Sequence, residues 1–169
     1  DFQGSRGLGD VYKRQLYKLS GNNSFKIICN VVDEKVFKAP AIETRSKSRF
    51  IHISTGVDSI KNLSGMIRVI NTLCLTYANI HLDIISDGDI EYAKELHKEL
   101  GNAKCIDFHS TKTTGEIAHM IASNDALLMF SNYENFPCVI AESMMSGKPV
   151  ISSNVNGIPE LSLIHISEP

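Results

Sequence analysis

Between residues 49 and 152 the spacing of apolar positions switches back and forth between two periods. RFIHIS (49–54) is a short run rich in β-branched and aromatic residues and predicts a strand. Ile60, Leu63, Ile67, Ile70 and Cys74 then recur at helical spacing, which predicts one helix over about 59–77. IHLDIIS (80–86) predicts a second strand. Ile90, Ala93, Leu96 and Leu100 mark a second helix, stopped by Gly101 where a left-handed cap is common. KCIDFH (104–109) predicts a third strand, and Thr113 with Glu116 forms a capping box for a third helix running through Ala122. ALLMF (126–130) is apolar throughout, as in the centre of a parallel sheet. Pro137 suits the first turn of a fourth helix over about 137–146, closed by Gly147, and PVIS (149–152) predicts the fifth strand. Upstream, FKIICNVVDEKVF (25–37) reads as a short strand and a turn, and KAPAIETRSKS (38–48) as a surface connection.

This alternation predicts an α/β fold, a doubly wound parallel sheet with helices on both faces in the Rossmann-like manner. Such sheets bind ligands beyond the carboxyl ends of the strands, where the strand order reverses. With the common order 3-2-1-4-5, strands 1 and 4 meet at that point. The segment after strand 1 carries Lys61, and the segment after strand 4 carries Glu134.

Composition narrows the setting. The chain has 169 residues, 43% hydrophobic and 21% charged, with a net charge of 17 − 19 = −2, which fits one globular domain or a piece of a larger protein. No long basic stretch suggests a nucleic-acid partner, and no apolar run approaches the ~20 residues of a membrane span. The four cysteines, Cys29, Cys74, Cys105 and Cys138, form no C-x-x-C pair and lie in or beside apolar stretches. They are expected to be free buried thiols in a reducing cytoplasm. No clustered zinc ligands stand out, and His52, His81, His97 and His119 show no ligand spacing. Ser20, Ser131 and Ser146 sit in no nucleophile-elbow pattern.

The two ends differ from the rest. Residues 1–15 (DFQGSRGLGDVYKRQ) and 162–169 (SLIHISEP) resemble translated sequencing adaptor of the kind that recurs at the ends of metagenomic fragments. The expectation is that the folding unit is 16–161 and that the natural protein extends past both ends. The charge of 16–161 is still (17 − 3) − (19 − 3) = −2.

The stretch with the clearest chemistry is NYENFPCVIAE (132–142). A buried strand ends, a turn follows and a helix begins at Pro137. The unpaired N–H groups and partial positive charge of a helix start favour a phosphate. The backbone N–H groups of Phe136, Cys138 and Val139 are candidate donors, with Asn135 in the same turn; Pro137 has none. Glu134 is placed to accept from sugar hydroxyls. Glu142, about 1.4 turns into the helix, is placed to reach a ribose diol beside the same phosphate. The alternative is that Glu142 is a solvated helix residue and Glu134 a first-turn stabiliser. The pairs Glu91/Glu99 and Glu160/Glu168 have the same separation but lie on an outer helix face and in the suspect tail.

YENFPCVIAESMMSGKPVISSNVNGIPEL resembles the donor-binding segment of family-4 glycosyltransferases of the GT-B fold. That family reads a glutamate, Phe-Gly or Phe-Pro, a second glutamate after seven residues, then Ala-x-Gly-x-Pro-Val-Ile and Gly-Gly-x-x-Glu. CNVVDEKVF resembles its Pro-Asn-x-x-Asp-x-x-x-Phe, and IKNLSGMIRVI its Lys-Gly or Lys-Asn helix opening, so the likeness covers about 25–161. It implies a retaining transferase acting on a nucleotide-diphosphate sugar (UDP-, GDP- or ADP-linked) with no cofactor and no obligatory metal. Glu134 would contact the donor sugar, Glu142 the ribose, and Lys61 the diphosphate as it becomes the leaving group. His109 and Ser110 sit where the family holds the base. A lysine in a first helical turn opposes the helix dipole, and a bound anion would reverse that sign.

The likeness also implies that a glycan or lipid-linked acceptor is held by an N-terminal domain absent from this chain. Peripheral membrane association of the intact enzyme and polysaccharide assembly are further family-level expectations. Three departures stand out. No arginine precedes Lys61 in GVDSIK, Asn156 replaces the first glycine of the late pair, and Cys29 replaces a proline. The missing arginine keeps open a non-catalytic nucleotide- or sugar-binding module of the same fold. A sugar-nucleotide epimerase of related architecture fits the motif less well. Asp87-Gly88-Asp89 has the form of a metal-binding Asp-x-Asp, but it also makes a turn with Asp89 as N-cap of the second helix.

Overall fold

The computed structural model describes residues 18, 32–39, 48–101, 104–159 and 161. Among the described residues there are five parallel strands: β1 (Ser48–Ser54), β2 (Ile80–Ser86), β3 (Ile106–His109), β4 (Ala126–Met129) and β5 (Val150–Ser152). Their order is β3-β2-β1-β4-β5, so β1 and β4 lie side by side at the reversal. The helices described from end to end are α1 (Asp58–Lys61), α2 (Leu63–Thr76), α3 (Glu91–Glu99), α4 (Thr114–Ser123) and α5 (Cys138–Met145).

Two apolar layers hold the sheet. On one face Leu63, Met66, Ile67 and Ile70 of α2 and Ala93 of α3 pack on Leu82, Ile84, Ile106 and Leu128. On the other, Ala118 and Ile121 of α4 and Ile140 of α5 pack on Ile51, Ile85, Leu127 and Met129. Side chains alternate across a strand, so Ile84 and Ile85 serve different layers. Each such buried side chain contributes roughly 1.5–3 kcal/mol of transfer free energy. Phe37, 3% exposed, joins the second layer. The strand expected before it falls on residues outside those described.

The single helix expected over 59–77 is two. Asn62 has φ +50, closing α1 and opening α2. Asparagine tolerates this left-handed conformation better than most residues, and the apolar spacing runs on across the break. Other details fit local chemistry. Thr113 and Glu116 make the full capping box. Gly101 and Gly147 end their helices at φ +98 and +68. Pro137 is the N-cap of α5 rather than its first helical residue. Ile90, not Asp89, is the N-cap of α3; the Asp89 carboxylate accepts from the Glu91 N–H at 2.9 Å.

The cysteines correct the sequence reading. Cys74 and Cys105 form a disulfide, with Cα atoms 6.5 Å apart. It joins the last turn of α2 to the chain entering β3, two places brought together only by the crossover. The argument from free thiols to a reducing compartment therefore falls. Cys138 is exposed, and Cys29 lies outside the described residues. Among the described residues no helix is long and apolar enough to cross a membrane.

Candidate functional site

The chain leaves β1, turns through Gly56 and forms α1, which delivers Lys61 to the carboxyl ends of β1 and β4. The chain leaving β4 returns to the same place. The Asn132 N–H donates to the Ile60 carbonyl at 2.8 Å, and Asn132 Nδ2 to the Ser59 carbonyl at 3.2 Å. These bonds tie the two connections together. Lys61 Nζ then donates to Glu134 Oε1 at 2.6 Å, and Ser131 Oγ donates to the same oxygen at 2.6 Å. Glu134 is 5% exposed, and the Lys61 side chain 17%. The charged pair is thus largely withdrawn from water, where its attraction is least screened.

Lys61 and Glu134 line a cavity of about 290 Å³ together with Ser54, Thr55, Asp87, Thr111, Lys112, Cys138 and Val139. A neighbouring cavity of about 210 Å³ is lined by Asp87, Asp89, Phe108, His109, Ser110 and Thr111. Asp87 and Thr111 stand in both walls. The structure therefore brings Lys61, Glu134, Cys138 and Val139 into one space and places His109 and Ser110 in the adjoining one. Asn135 and Phe136 lie in the turn before α5 but do not line either cavity. Glu142 is half-buried on α5, three residues beyond Val139 and so one turn further along the same side. It lines neither cavity. Burial raises its carboxyl above the usual range. A larger groove of about 520 Å³ runs along α5 and β5, lined by Ile140, Met144 and Ile158. It is apolar and away from the charged pair, so size alone does not mark the chemistry.

Lys61 sits in the last turn of α1, not the first turn of a long helix. At a helix C-terminus a lysine is favourable, so the dipole argument for a bound anion does not hold. Its case rests instead on the cavity wall and Glu134. Late in the chain, Gly157 is required for packing, because a Cβ there would lie 1.6 Å from the Asn135 carbonyl oxygen. Asn156, in place of the expected glycine, adopts φ +44, which asparagine tolerates.

Two buried groups beneath the site escaped the sequence reading. His52 is fully buried, with Nδ1 2.9 Å from the Leu128 carbonyl and Nε2 2.8 Å from Ser54 Oγ. Its pKa is lowered to about 4, chiefly by burial, with Lys61 nearby acting the same way. A neutral ring must donate Nδ1–H to the carbonyl, so Nε2 accepts from the Ser54 hydroxyl. That fixes the orientation of a hydroxyl in the cavity wall. The second group is Asp83, 3% exposed, which accepts from Arg49 and from His109 Nε2, each at 2.8 Å. Burial raises its carboxyl, but the bonds from His109 and Arg49 outweigh this and hold it below its ordinary value. His109 is thereby braced from beneath. No sequence spacing signals either group, since each needs a neighbouring strand in known register.

The Asp87-Gly88-Asp89 turn has a structural task. A Cβ at Gly88 would lie 2.0 Å from the Thr55 carbonyl oxygen, so the turn packs directly on the segment after β1.

The family profile described as glycosyl transferases group 1 matches residues 35–162. Among curated relatives, the N-acetyl-alpha-D-glucosaminyl L-malate synthase of Bacillus anthracis is 26% identical, the match covering 83% of this chain and 38% of that protein. The MMP alpha-(1->4)-mannosyltransferase of Mycolicibacterium hassiacum is 27% identical, over 77% of this chain and 31% of that protein. The chain thus spans about a third of the length of these relatives. Among solved structures, the C-terminal domain of the glycosyl transferase group 1 protein LpcC from Francisella tularensis superposes with a TM-score of 0.64 at 22% identity. That match covers 78% of this chain and 74% of the domain. The pneumococcal O-GlcNAc transferase GtfA superposes with a TM-score of 0.72 at 15% identity, over 87% of this chain and 28% of that protein. At these identities the superpositions speak for the fold. The profile match covers most of the chain, and the chain belongs to the glycosyl transferases group 1 family.

Proposed function

We propose that residues 16–161 are the donor-binding half of a retaining glycosyltransferase that uses a nucleotide-diphosphate sugar. The observation that carries this is the Lys61–Glu134 pair, 2.6 Å apart in a cavity wall where the strand order reverses. Diphosphate charge grows as the sugar–phosphate bond breaks, and a largely buried ammonium beside that bond favours the charged state over the ground state. Glu134 holds Lys61 in place and offers its carboxylate to donor sugar hydroxyls. The N–H groups of Cys138 and Val139, at the start of α5, face the phosphates. Glu142 takes the ribose diol, and the loop of His109 and Ser110 takes the base. Lys112, in the same wall as Lys61, supplies the second cation that the missing arginine would have given. The reading assigns charge stabilisation to side chains and needs no metal.

The acceptor, a glycan or a lipid-linked sugar, is held by residues outside this chain, so turnover belongs to the intact protein. The names of the curated relatives, a sugar–malate synthase and a mannosyltransferase, agree with sugar transfer. UDP is the first nucleotide to test, because the GtfA structure holds UDP and GlcNAc. The absent arginine motivates a second reading, a binding module that never transfers.

Calorimetric titration of the chain and its Glu142→Ala variant with UDP, GDP and ADP tests the assignment. Saturable binding of one nucleotide, weakened in the variant, is expected and identifies the base. Equal binding by the variant would remove the ribose contact from Glu142. For the intact protein, the anomeric configuration of the product separates retention from inversion, and binding without product would favour the module.

A further inference from the structure

On the sheet face opposite α2 and α3, two strands bring together a histidine and two carboxylates that no sequence spacing joined. His81 and Asp83 alternate on β2, and Asp107 stands opposite Asp83 on β3. Their ligand atoms all lie within 4.8 Å of one another. His81 Nε2 is 3.3 Å from Asp107 Oδ2 and 3.5 Å from Asp83 Oδ1. A tetrahedral ion with bonds of 2.0–2.2 Å separates its ligand atoms by about 3.3–3.6 Å. Two edges of the triangle therefore have the span that a bound ion sets.

The polar accounting points the same way. His81 is nine-tenths buried, and its Nε2 faces both carboxylates yet makes no hydrogen bond. Asn124, 2% exposed, enters the cluster through Nδ2, which donates to Asp83 Oδ2 at 3.3 Å, while its Oδ1 has no partner. Buried polar atoms are rarely left unsatisfied. Arg49 engages Asp83 Oδ2, which turns Oδ1 toward His81 and His109. Asp107 is 65% exposed at its side chain and gives an ion access from solvent.

We propose that His81 Nε2, Asp83 Oδ1 and Asp107 Oδ2 bind a divalent transition-metal ion such as Zn²⁺, with water completing the coordination. One imidazole nitrogen with two carboxylates suits Zn²⁺ or Co²⁺ better than Mg²⁺, which prefers oxygen ligands alone. The ion staples β2 to β3 beneath His109. It is structural, separate from the Lys61–Glu134 cavity, and takes no part in the transfer proposed above.

The test uses the chain stripped with a chelator and then titrated with Zn²⁺ and with Co²⁺. Saturable one-to-one binding is expected, with a rise in Tm and, for Co²⁺, visible ligand-field absorption. His81→Gln and Asp107→Asn should each weaken binding by about tenfold or more. His119→Gln, at an exposed histidine outside the cluster, should leave it unchanged. Asp107 is exposed, so its variant keeps the test meaningful if His81→Gln fails to fold. No saturable binding, or binding unaltered in Asp107→Asn, would overturn the proposal. Nucleotide titration of the metal-free chain is a separate readout and stays the same in either case.

Discussion

Glu134 and Asp83 are both buried carboxylates held by a cation, and they sit in different kinds of place. Glu134 lies beyond a strand end, bonded to Lys61 on a separate connection, in the wall of a cavity. Asp83 lies within β2, bonded to Arg49 of β1 and His109 of β3, under a helix layer. A charge at a strand's carboxyl end faces space that a ligand can enter. A charge inside a strand is set among other parts of the fold and reaches solvent only past its neighbours, as Asp83 does past the exposed Asp107. Burial and ion pairing are common to both, so neither marks function; position relative to the strand ends does.

The largest effect should come from cutting the internal pair. Asp83→Ala leaves Arg49 and His109 facing a partner that is gone, and about 3–5 kcal/mol of stability should be lost in urea unfolding. A loss below about 1 kcal/mol would mean that water replaces the carboxylate and that the contrast is weaker than drawn. The contribution of Asp83 also has a pH signature. Its pKa is lower folded than unfolded, so that contribution is present above the ordinary value of about 3.9 and is lost as pH falls below it.

Acid should reach the cavity side earlier, through His52. Its pKa is near 6.5 unfolded and about 4 folded, so the unfolded chain binds more protons between those values. Stability should therefore fall as pH drops from about 6.5 to 4, by about 3 kcal/mol at roughly 1.4 per unit. In melts across that window His52→Gln should flatten the slope, and an unchanged slope would assign the effect elsewhere.

The Cys74–Cys105 bond tests whether the internal side is fixed independently of the cavity. Its loop spans 31 residues, and reduction should cost about 2–4 kcal/mol. Denaturation with and without reductant measures this, and nucleotide affinity of the reduced, folded chain should not change. A parallel fall in affinity would show that the two regions are coupled. The smallest effect is local: Thr113→Ala removes the cap of α4 and should cost about 1 kcal/mol.

The sequence made the frame legible wherever one element carried its own signal. IHLDIIS marks β2 with its observed bounds, the Thr113–Glu116 box marks the start of α4, and the alternation points to a parallel sheet, whose common order 3-2-1-4-5 is the one observed. The Lys61–Glu134 meeting followed from that order. What stayed hidden depends on register or on one backbone angle. Ile60, Leu63 and Ile67 keep helical spacing across Asn62, so the break at φ +50 leaves no trace in the pattern. Cys74 and Cys105 meet only because the chain entering β3 passes the end of α2. Asp83 is one of three polar residues in IHLDIIS, with His81 and Ser86, and nothing in that stretch singles it out. Its partners lie 34 and 26 residues away, and only the pairing of β1, β2 and β3 collects them.

The most direct measurement is nucleotide affinity of the chain against its Lys61→Met variant, with folding of both checked by thermal melting. Losing a largely buried cation from a diphosphate site should cost about 1.5–3 kcal/mol, a fall in affinity of roughly 10–100-fold. A folded variant that binds the same nucleotide as tightly as the parent would contradict the account, because Lys61 would then be only the structural partner of Glu134.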